Sequence, residues 1–384
     1  MEWRIPLSDI DFGLDEEQAV LEVVRSRWLT MGAITQQFEQ EFANFVRAKH
    51  AIAVTNATAA LHMACVAAGL GEGDEVILPS LTFVATSNAV RYTGALPVFA
   101  DIESEACLNI SAQSIEACLT SRTRAILVVH YGGYACDMPA VLAIAHKYGL
   151  AVIEDAAHAV GSQLDGRMLG TWGQTGCFSF FSNKNMTTGE GGMLVTDDDE
   201  LAGKLRILRS HGMTSLTWDR HKGHAWSYDV VGLGYNYRID EIRSALGRVQ
   251  LKKLAQNNQL RRDRTVLYHE LLQELCPSVG IPFQEHPGLS ACHLLPILLP
   301  EGTRREAFME QMKSRGIQTS IHYPPIHHFS AYRELTASST SDLKLTETVA
   351  ARQVTLPLYP ALSENDVTLV VEAVRDSLTR ALVE

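Results

Sequence analysis

The chain has 384 residues, a length that favours two domains at roughly 100 to 200 residues per domain. Hydrophobic residues make up 46% and charged residues 20% of the sequence, which excludes a disordered or fibrous protein. The net charge of −11 argues against nucleic acid or an anionic membrane as the main partner. A small anionic ligand remains compatible with this charge, because a few local donors are enough to bind it.

The sequence also lacks the signals of membrane insertion or export. Its longest apolar runs, such as residues 125–129, fall far short of the ~20 residues that a membrane span requires. The first residues have neither the basic region nor the apolar region of a secretory signal. Seven cysteines without CxxC spacing indicate reduced, buried thiols. We therefore expect a cytoplasmic protein with no membrane segment.

Between about residues 50 and 200, short β-branched runs alternate with helical patterns, as is typical of βαβ units around a mainly parallel sheet. The runs predicted to be strands are 51–54, 75–78, 97–99, 125–129, 151–153, 177–180 and 193–195. Helices are predicted between them, for example over 57–68 and 138–148. Ligands bind at the carboxyl ends of the strands in such sheets, so polar residues directly after the runs are the candidates for a functional site.

After residue 236 the pattern becomes amphipathic, and Ile239, Ile242, Leu246 and Val249 recur at helical spacing. This spacing predicts a connecting helix. From about residue 277, strand-like runs, helices and several Pro and Gly residues predict a second, smaller α+β domain.

We accordingly expect a large domain over 12–250 and a small C-terminal domain over 251–384, packed with residues 1–11. A loop or short hairpin is predicted over 211–226. The low-complexity segment 336–341 is predicted to be a surface loop.

The first candidate motif is a predicted strand that ends in Glu154 and Asp155 and is followed by His158. A partly desolvated carboxylate is costly unless it meets a cation or strong donors. Two interpretations stay open from these residues alone. Asp155 either caps a following helix, or it binds a protonated ring nitrogen while His158 contacts the same ring.

The second motif is Lys184, which follows a predicted strand in a turn rich in hydroxyl groups and glycine. Burial lowers the pKa of a lysine and makes its amine a nucleophile. The alternative is an ordinary solvated lysine in a glycine turn.

The third motif, residues 54–61, places small residues at the start of a predicted helix. Free backbone N–H groups there form an anion site, although an ordinary N-cap by Thr55 or Asn56 also explains the pattern. Phe83 follows another strand and either stacks on a ring or lies in the core. An amine, a carboxylate, an aromatic face and an anion site are together what a phosphorylated pyridine aldehyde requires.

Residues 154–158 (EDAAH), 184–192 (KNMTTGEGG) and 234–238 (GYNYR) resemble the DegT-like family of pyridoxal-phosphate-dependent sugar aminotransferases. The resemblance covers almost the whole chain, from Trp28 to Pro360. It implies the aspartate aminotransferase (type I) fold, an α/β fold with a mainly parallel seven-stranded sheet flanked by helices. It also implies a homodimer with shared active sites.

The resemblance further implies a role for each residue of the candidate site. Lys184 would be the Schiff-base lysine and Asp155 the partner of the pyridine nitrogen. The remaining cofactor contacts would be His158 and Phe83 on the ring faces, Ser179 with the amides of Ala57 and Thr58 on the phosphate, and Asn236 of the neighbouring subunit on the same phosphate.

One departure concerns the phosphate turn, where the family usually has a Gly-Thr pair and this chain has Ala57-Thr58. Alanine still donates its N–H unless the turn requires a positive φ. Relatives that dehydrate or deoxygenate sugars carry histidine in place of the lysine, so Lys184 favours transamination.

Segments that line the sugar-nucleotide cleft in relatives contain Trp28, Thr30, Arg238, His322 and Tyr323. Each of these residues also has an ordinary structural explanation, such as a core tryptophan, a surface ion pair or a loop histidine.

No metal site is expected in the chain. The adjacent pair His327 and His328 lacks a second ligand cluster with suitable spacing, and loop histidines explain it better.

The resemblance predicts transfer of an amino group from L-glutamate to the keto carbon of a nucleotide-linked ketosugar. Such an enzyme would serve the biosynthesis of cell-surface polysaccharide or a glycosylated natural product. Two alternatives remain: a related enzyme that acts on a non-nucleotide ketone such as a keto-cyclitol, and a non-catalytic cofactor-binding regulator. Intact Asp155, Lys184 and Ser179 weigh against the regulator.

Overall fold

The computed structural model describes residues 3–214, 227–336 and 342–381. The strands of the described chain are β1 (His50–Val54), β2 (Glu75–Pro79), β3 (Leu96–Ala100), β4 (Thr123–Val129), β5 (Ala151–Asp155), β6 (Gln163–Leu164), β7 (Arg167–Met168), β8 (Thr175–Ser179), β9 (Gly192–Thr196), β10 (Leu295–Leu298) and β11 (Gln353–Leu356). Seven of them form one sheet in the order β1-β9-β8-β5-β4-β2-β3. All seven predicted strands are present, with ends that differ from the predicted ones by no more than two residues.

Strand direction in this sheet places the site. The neighbours β3, β2, β4, β5 and β8 are mutually parallel. Strand β9 is antiparallel to both β8 and β1. The carboxyl ends of β1, β2, β5 and β8 therefore lie at one edge of the sheet. Nearly all residues of these four strands are buried, because helices cover both faces.

The helices are α1 (Leu14–Ser26), α2 (Ala33–Val46), α3 (Ala57–Ala67), α4 (Val84–Arg91), α5 (Ala112–Ala117), α6 (Met138–Tyr148), α7 (Asp199–Leu208), α8 (Glu241–Leu275), α9 (Arg305–Ser314), α10 (Ser330–Thr336), α11 (Lys344–Arg352) and α12 (Glu364–Ala381). Helix α6 has the predicted bounds, because Asp137 caps its first turn and Gly149 ends it with φ 66°.

Helix α8 confirms the expected connecting helix but buries a different face from the predicted stripe. Ile239 precedes the helix, and Ile242, Leu246 and Val249 are only half-buried. Where α8 packs on α2, its buried face includes the small residues Ser244, Ala245 and Gly247. At Gly247 an added Cβ would lie 2.5 Å from the Phe38 ring.

A second core lies around β10 and β11, which pair antiparallel and pack with α9, α11 and α12. Near the N-terminus, Ile5 exchanges backbone hydrogen bonds with Gly316 and Gln318. The domain division at residue 250 stays a prediction, and α8 runs across that position.

None of the described helices is long and apolar enough to cross a membrane. The predicted loop over 211–226 lies outside the described residues from position 215 onward, and the predicted surface loop is described only at position 336.

Candidate active site

A cavity of about 530 Å³ opens at the carboxyl edge of the sheet. Its volume lies in the range of small-molecule and cofactor sites. The predicted site residues that line it are Ala57, Thr58, Phe83, Asp155, His158, Ser179, Lys184, His322 and Tyr323. The fold thus brings nine residues from five separate sequence segments to one place.

Four predicted residues do not line this cavity within one chain: Trp28, Thr30, Asn236 and Arg238. Residues 28–30 lie beside the start of α8, where the Leu29 carbonyl accepts from the Glu241 amide at 3.0 Å. Asn236 pairs with Ser210, and Arg238 with Val54 at the end of β1. The cofactor and substrate roles of these four residues stay predictions.

The N-terminus of α3 forms the anion cradle. Asn56 caps the helix by accepting from the Ala59 amide at 2.8 Å, so the cap that was one of the alternatives is present. Within the described chain, the amides of Ala57 and Thr58 have no acceptor, and both residues line the cavity. The N-cap therefore leaves two amides available to an anion.

Two further observations support this cradle. Ala57 is the first helical residue and is not among the positive-φ positions, so its substitution for the usual glycine causes no strain. At Gly192 a Cβ would lie 2.5 Å from Asn56 and 2.7 Å from the Ala57 nitrogen. A glycine is therefore needed where β9 passes the cradle. Ser179, at the end of β8, lines the same cavity.

Asp155 ends β5 with its carboxylate buried. Its Oδ2 accepts from the Thr86 hydroxyl at 2.8 Å and its Oδ1 from the Ala157 amide at 3.1 Å. Burial raises the pKa of Asp155, while the Thr86 and Ala157 hydrogen bonds and the nearby Lys184 oppose that rise. A turn rather than a helix follows Asp155, so the helix-cap interpretation is wrong.

Lys184 lies five residues after β8, in the cavity wall. Burial lowers its pKa to about 8, and the Asp155 carboxylate opposes this shift. A fraction of Lys184 is therefore an uncharged amine near neutral pH, which a nucleophile and a proton carrier both require.

His158 has a defined tautomer. Its Nδ1 accepts from the Gly132 amide at 3.2 Å, so the ring proton lies on Nε2. Nε2 then donates to the Tyr323 hydroxyl at 3.1 Å. Phe83, 56% exposed, lies 5.8 Å from the Tyr323 ring between centroids. Phe83 is therefore not a core residue, and the three rings form an aromatic wall of the cavity.

Several side chains at this site were not predicted from the sequence. Thr86 lies one helical turn after Phe83, and that spacing was an available signal. Asn183 lines the cavity with its Oδ1 buried and without a hydrogen-bond partner among the described residues. His293 approaches Lys184 from a segment more than 100 residues away, and no local pattern marks it.

The pair His327 and His328 lies outside this cavity. The fold brings Glu347 to both rings, with its Oε1 3.4 Å and 3.6 Å from their Nε2 atoms. These three side chains could hold a metal ion, so the expectation of a protein without a metal stays a prediction.

The donors present fit pyridoxal phosphate. The cradle of unpaired amides and the Ser179 hydroxyl suit a phosphate dianion. The buried Asp155 suits a cationic ring nitrogen, which would offset the desolvation of its carboxylate. Lys184 supplies the amine for the aldehyde.

Comparisons with known proteins agree with this geometry. The model of the DegT/DnrJ/EryC1/StrS aminotransferase family matches residues 11–375. The spore coat polysaccharide biosynthesis protein SpsC of Bacillus subtilis is 43% identical over 377 residues, which cover 97% of this chain and 96% of that protein.

Two solved structures are similar over nearly their full length. The PLP-form of the putative sugar aminotransferase Spr1654 from Streptococcus pneumoniae has a TM-score of 0.91 at 26% identity, covering 99% of this chain and 100% of that chain. The structure of DesI in the presence of its TDP-sugar product has a TM-score of 0.88 at 31% identity, covering 99% and 94% of the two chains.

These matches confirm the predicted family resemblance and the predicted fold. The chain therefore belongs to the DegT/DnrJ/EryC1/StrS aminotransferase family, and it is a pyridoxal-phosphate-dependent aminotransferase.

Proposed function

We propose that this enzyme moves the amino group of L-glutamate to the keto carbon of a nucleotide-linked ketosugar, for the biosynthesis of a polysaccharide or a glycosylated natural product. The observation that carries the proposal is the single cavity that joins Lys184, Asp155 and the α3 anion cradle. The TDP-sugar product of DesI supports a nucleotide sugar as the acceptor. The name of SpsC supports a role in polysaccharide biosynthesis.

When bound, pyridoxal phosphate supplies an electrophilic carbon that carries the amino group and a ring that accepts electrons. Lys184 Nζ, with its pKa lowered to about 8, would take the proton from Cα of the amino donor as general base and return it as general acid to the cofactor's C4′. With the acceptor bound, Lys184 would make the same two proton transfers in the opposite order, and the amino group would pass to the keto carbon of the acceptor.

Asp155 would hold a proton on the ring nitrogen of the bound cofactor. Thr86 and Ala157 orient its carboxylate before the cofactor arrives. The Ser179 hydroxyl and the α3 amides would hold the phosphate, and Phe83 and Tyr323 would limit the movement of the bound ring on one side of the cavity.

An acceptor panel tests the substrate class. We expect a TDP-linked 4-keto or 3-keto sugar to show a kcat/KM at least about 100-fold above that of a keto-cyclitol or a free ketosugar. A glutamine donor combined with a preference for the keto-cyclitol would contradict the proposal and favour the non-nucleotide alternative. Binding of the cofactor without turnover of any nucleotide-linked ketosugar would also contradict the proposed acceptor class.

We further propose a homodimer whose subunits share their active sites. Exposed apolar side chains lie close in sequence to Asn236, including Val231 at 59% and Leu233 at 83% exposure. Arg238 Nη1 is buried without a hydrogen-bond partner in the described part of the chain. A second copy that covers this segment would receive Asn236 and Arg238 at its own cradle.

Mixing two inactive variants tests the shared site. Asn236→Asp places a negative charge beside the phosphate, and Lys184→Ala removes the amine. In a mixed dimer one site carries both changes and the other site carries neither. Random exchange makes about half of the dimers mixed, and each mixed dimer has one intact site of two, so about one quarter of wild-type activity should return. Failure to restore activity, with subunit exchange shown by mass spectrometry, would contradict the role of Asn236. An active monomer in light scattering would contradict the dimer itself.

A further inference from the structure

His293, which the proposed mechanism does not use, lies beside the reacting lysine. Its Nε2 is 3.4 Å from Lys184 Nζ, and its side chain is 5% exposed. We propose that His293 is a positioning residue. Its unprotonated Nε2 accepts a hydrogen bond from Lys184 Nζ, and this bond directs the lone pair of the uncharged Nζ toward the cavity. This inference rests on the proposed role of Lys184.

A chain of buried amides fixes the tautomer of His293. The Val160 carbonyl can only accept, so the Asn258 atom that lies 2.9 Å from it is the donor Nδ2. The Oδ1 atom of Asn258 therefore points toward Asn185. Asn185 Nδ2 donates to that Oδ1 and to the Ala291 carbonyl, both at 2.8 Å. Both amide hydrogens of Asn185 are then used, and its Oδ1 is left to accept.

His293 Nδ1 lies 2.9 Å from this acceptor, Asn185 Oδ1, and must therefore carry the ring proton. Nε2 is consequently bare and can only accept from Lys184. Burial lowers the pKa of His293 well below its usual value, and the nearby Lys184 adds to this effect, so the ring stays neutral. An imidazolium or the opposite tautomer would instead donate to the lysine lone pair and block its use as a base.

The contact belongs to the states in which Lys184 is not bound to the cofactor, whether its Nζ is an ammonium or an uncharged amine. An uncharged amine has two N–H bonds and one lone pair in roughly tetrahedral directions. When one N–H points into the wall at His293, the lone pair is directed away from that wall. Lys184 lines the cavity and His293 does not, so a lone pair directed away from His293 can meet the proton of the bound amino donor.

Other charged or titratable groups also face the amine. They are Asp155 from β5, His158 from the turn after β5 and His322 from the segment after α9. Asp155 favours the ammonium form. Burial lowers the pKa of His158, and that of His322 to about 4, so both are neutral near pH 7. His293 is thus the neutral acceptor that the structure places within hydrogen-bond distance of Nζ.

Two substitutions separate the two hydrogen bonds of His293. His293→Gln keeps an acceptor at the position of Nε2 but loses the donor to Asn185. His293→Asn keeps the donor to Asn185 and loses the acceptor for Lys184. A purely structural role would make His293→Asn the milder change, whereas the positioning role makes it the more severe one.

The primary readout is the titration of Lys184 in cofactor-free protein. Competitive labelling with trace acetic anhydride, followed by peptide mass spectrometry, gives the pH midpoint of amine reactivity, with exposed Lys204 as internal reference. We expect a wild-type midpoint near 8 and a similar midpoint for His293→Gln. For His293→Asn we expect a midpoint about one pH unit lower, because the ammonium loses its acceptor.

The secondary readout is the single-turnover rate with L-glutamate. It should fall about 10-fold in His293→Asn and clearly less in His293→Gln. Equal midpoints in the two variants, or the larger loss in His293→Gln, would overturn the proposal. If neither variant folds, NMR of wild-type protein labelled with ¹⁵N-histidine decides: a proton on Nδ1 supports the proposal and a proton on Nε2 overturns it. The labelling result is independent of which acceptor sugar the enzyme uses.

Discussion

Replacing Lys184 with alanine is expected to lower kcat for amino transfer by at least about 10⁴-fold. The substitution removes both the amine that reacts with the cofactor and the group that carries the proton. The protein should still fold, because a partly buried amine contributes little stability and the cavity already surrounds it. Circular dichroism and thermal unfolding would verify the fold.

The matched control is Lys204→Ala on α7, where the lysine pairs with Glu200 at the surface. This control should retain wild-type kcat. Turnover in Lys184→Ala above about one thousandth of wild type, measured with a nucleotide ketosugar, would mean that another group carries the proton.

Asp155→Asn is expected to lower kcat by about 10³-fold while leaving the cofactor-free protein at least as stable as wild type. The amide cannot hold the proton on the ring nitrogen by charge. The expected stability of the variant follows from the sign of the pKa shift. Because burial raises the pKa of Asp155 in the folded chain, the free energy of unfolding falls as the pH rises from the unfolded-state pKa through the raised folded-state pKa. An uncharged amide removes this cost at neutral pH.

The measurement compares Tm with and without pyridoxal phosphate, together with kcat. Asp155→Asn should gain less Tm from the cofactor than wild type does. Asp199→Asn is the control, since Asp199 is exposed and pairs with Lys49 and His50. A large fall in the Tm of cofactor-free Asp155→Asn would show that the carboxylate is structural rather than held ready for a cation.

The strands and the strand-end residues could be predicted from sequence for a simple physical reason. Parallel strands buried on both faces are short apolar runs, and each run was visible locally. Asp155, Ser179 and Lys184 follow such runs within a few residues, so their shared edge follows from strand direction. The cradle at Ala57 was visible because helix N-termini have their own local chemistry.

What sequence could not show depends on long-range packing. The buried face of α8 is set by the close approach of α2, whose Phe38 ring packs against Gly247. Hydrophobic periodicity along α8 does not show this face. His293 reaches Lys184 only through the second part of the fold, and its tautomer depends on a chain of amides that ends on α8. Asn236 and Arg238 do not line the cavity of their own chain, and their proposed contacts are with a second copy of the chain.

The most direct test of the account is a single half-reaction. Wild-type enzyme loaded with pyridoxal phosphate is mixed with L-glutamate in the absence of any acceptor, and 2-oxoglutarate is counted against active sites. We expect about one equivalent per site, loss of the visible cofactor absorbance, and its recovery when a nucleotide ketosugar is added and aminated. Continuous release of 2-oxoglutarate without an acceptor, or no release at all, would contradict an aminotransferase that stores the amino group between two substrates.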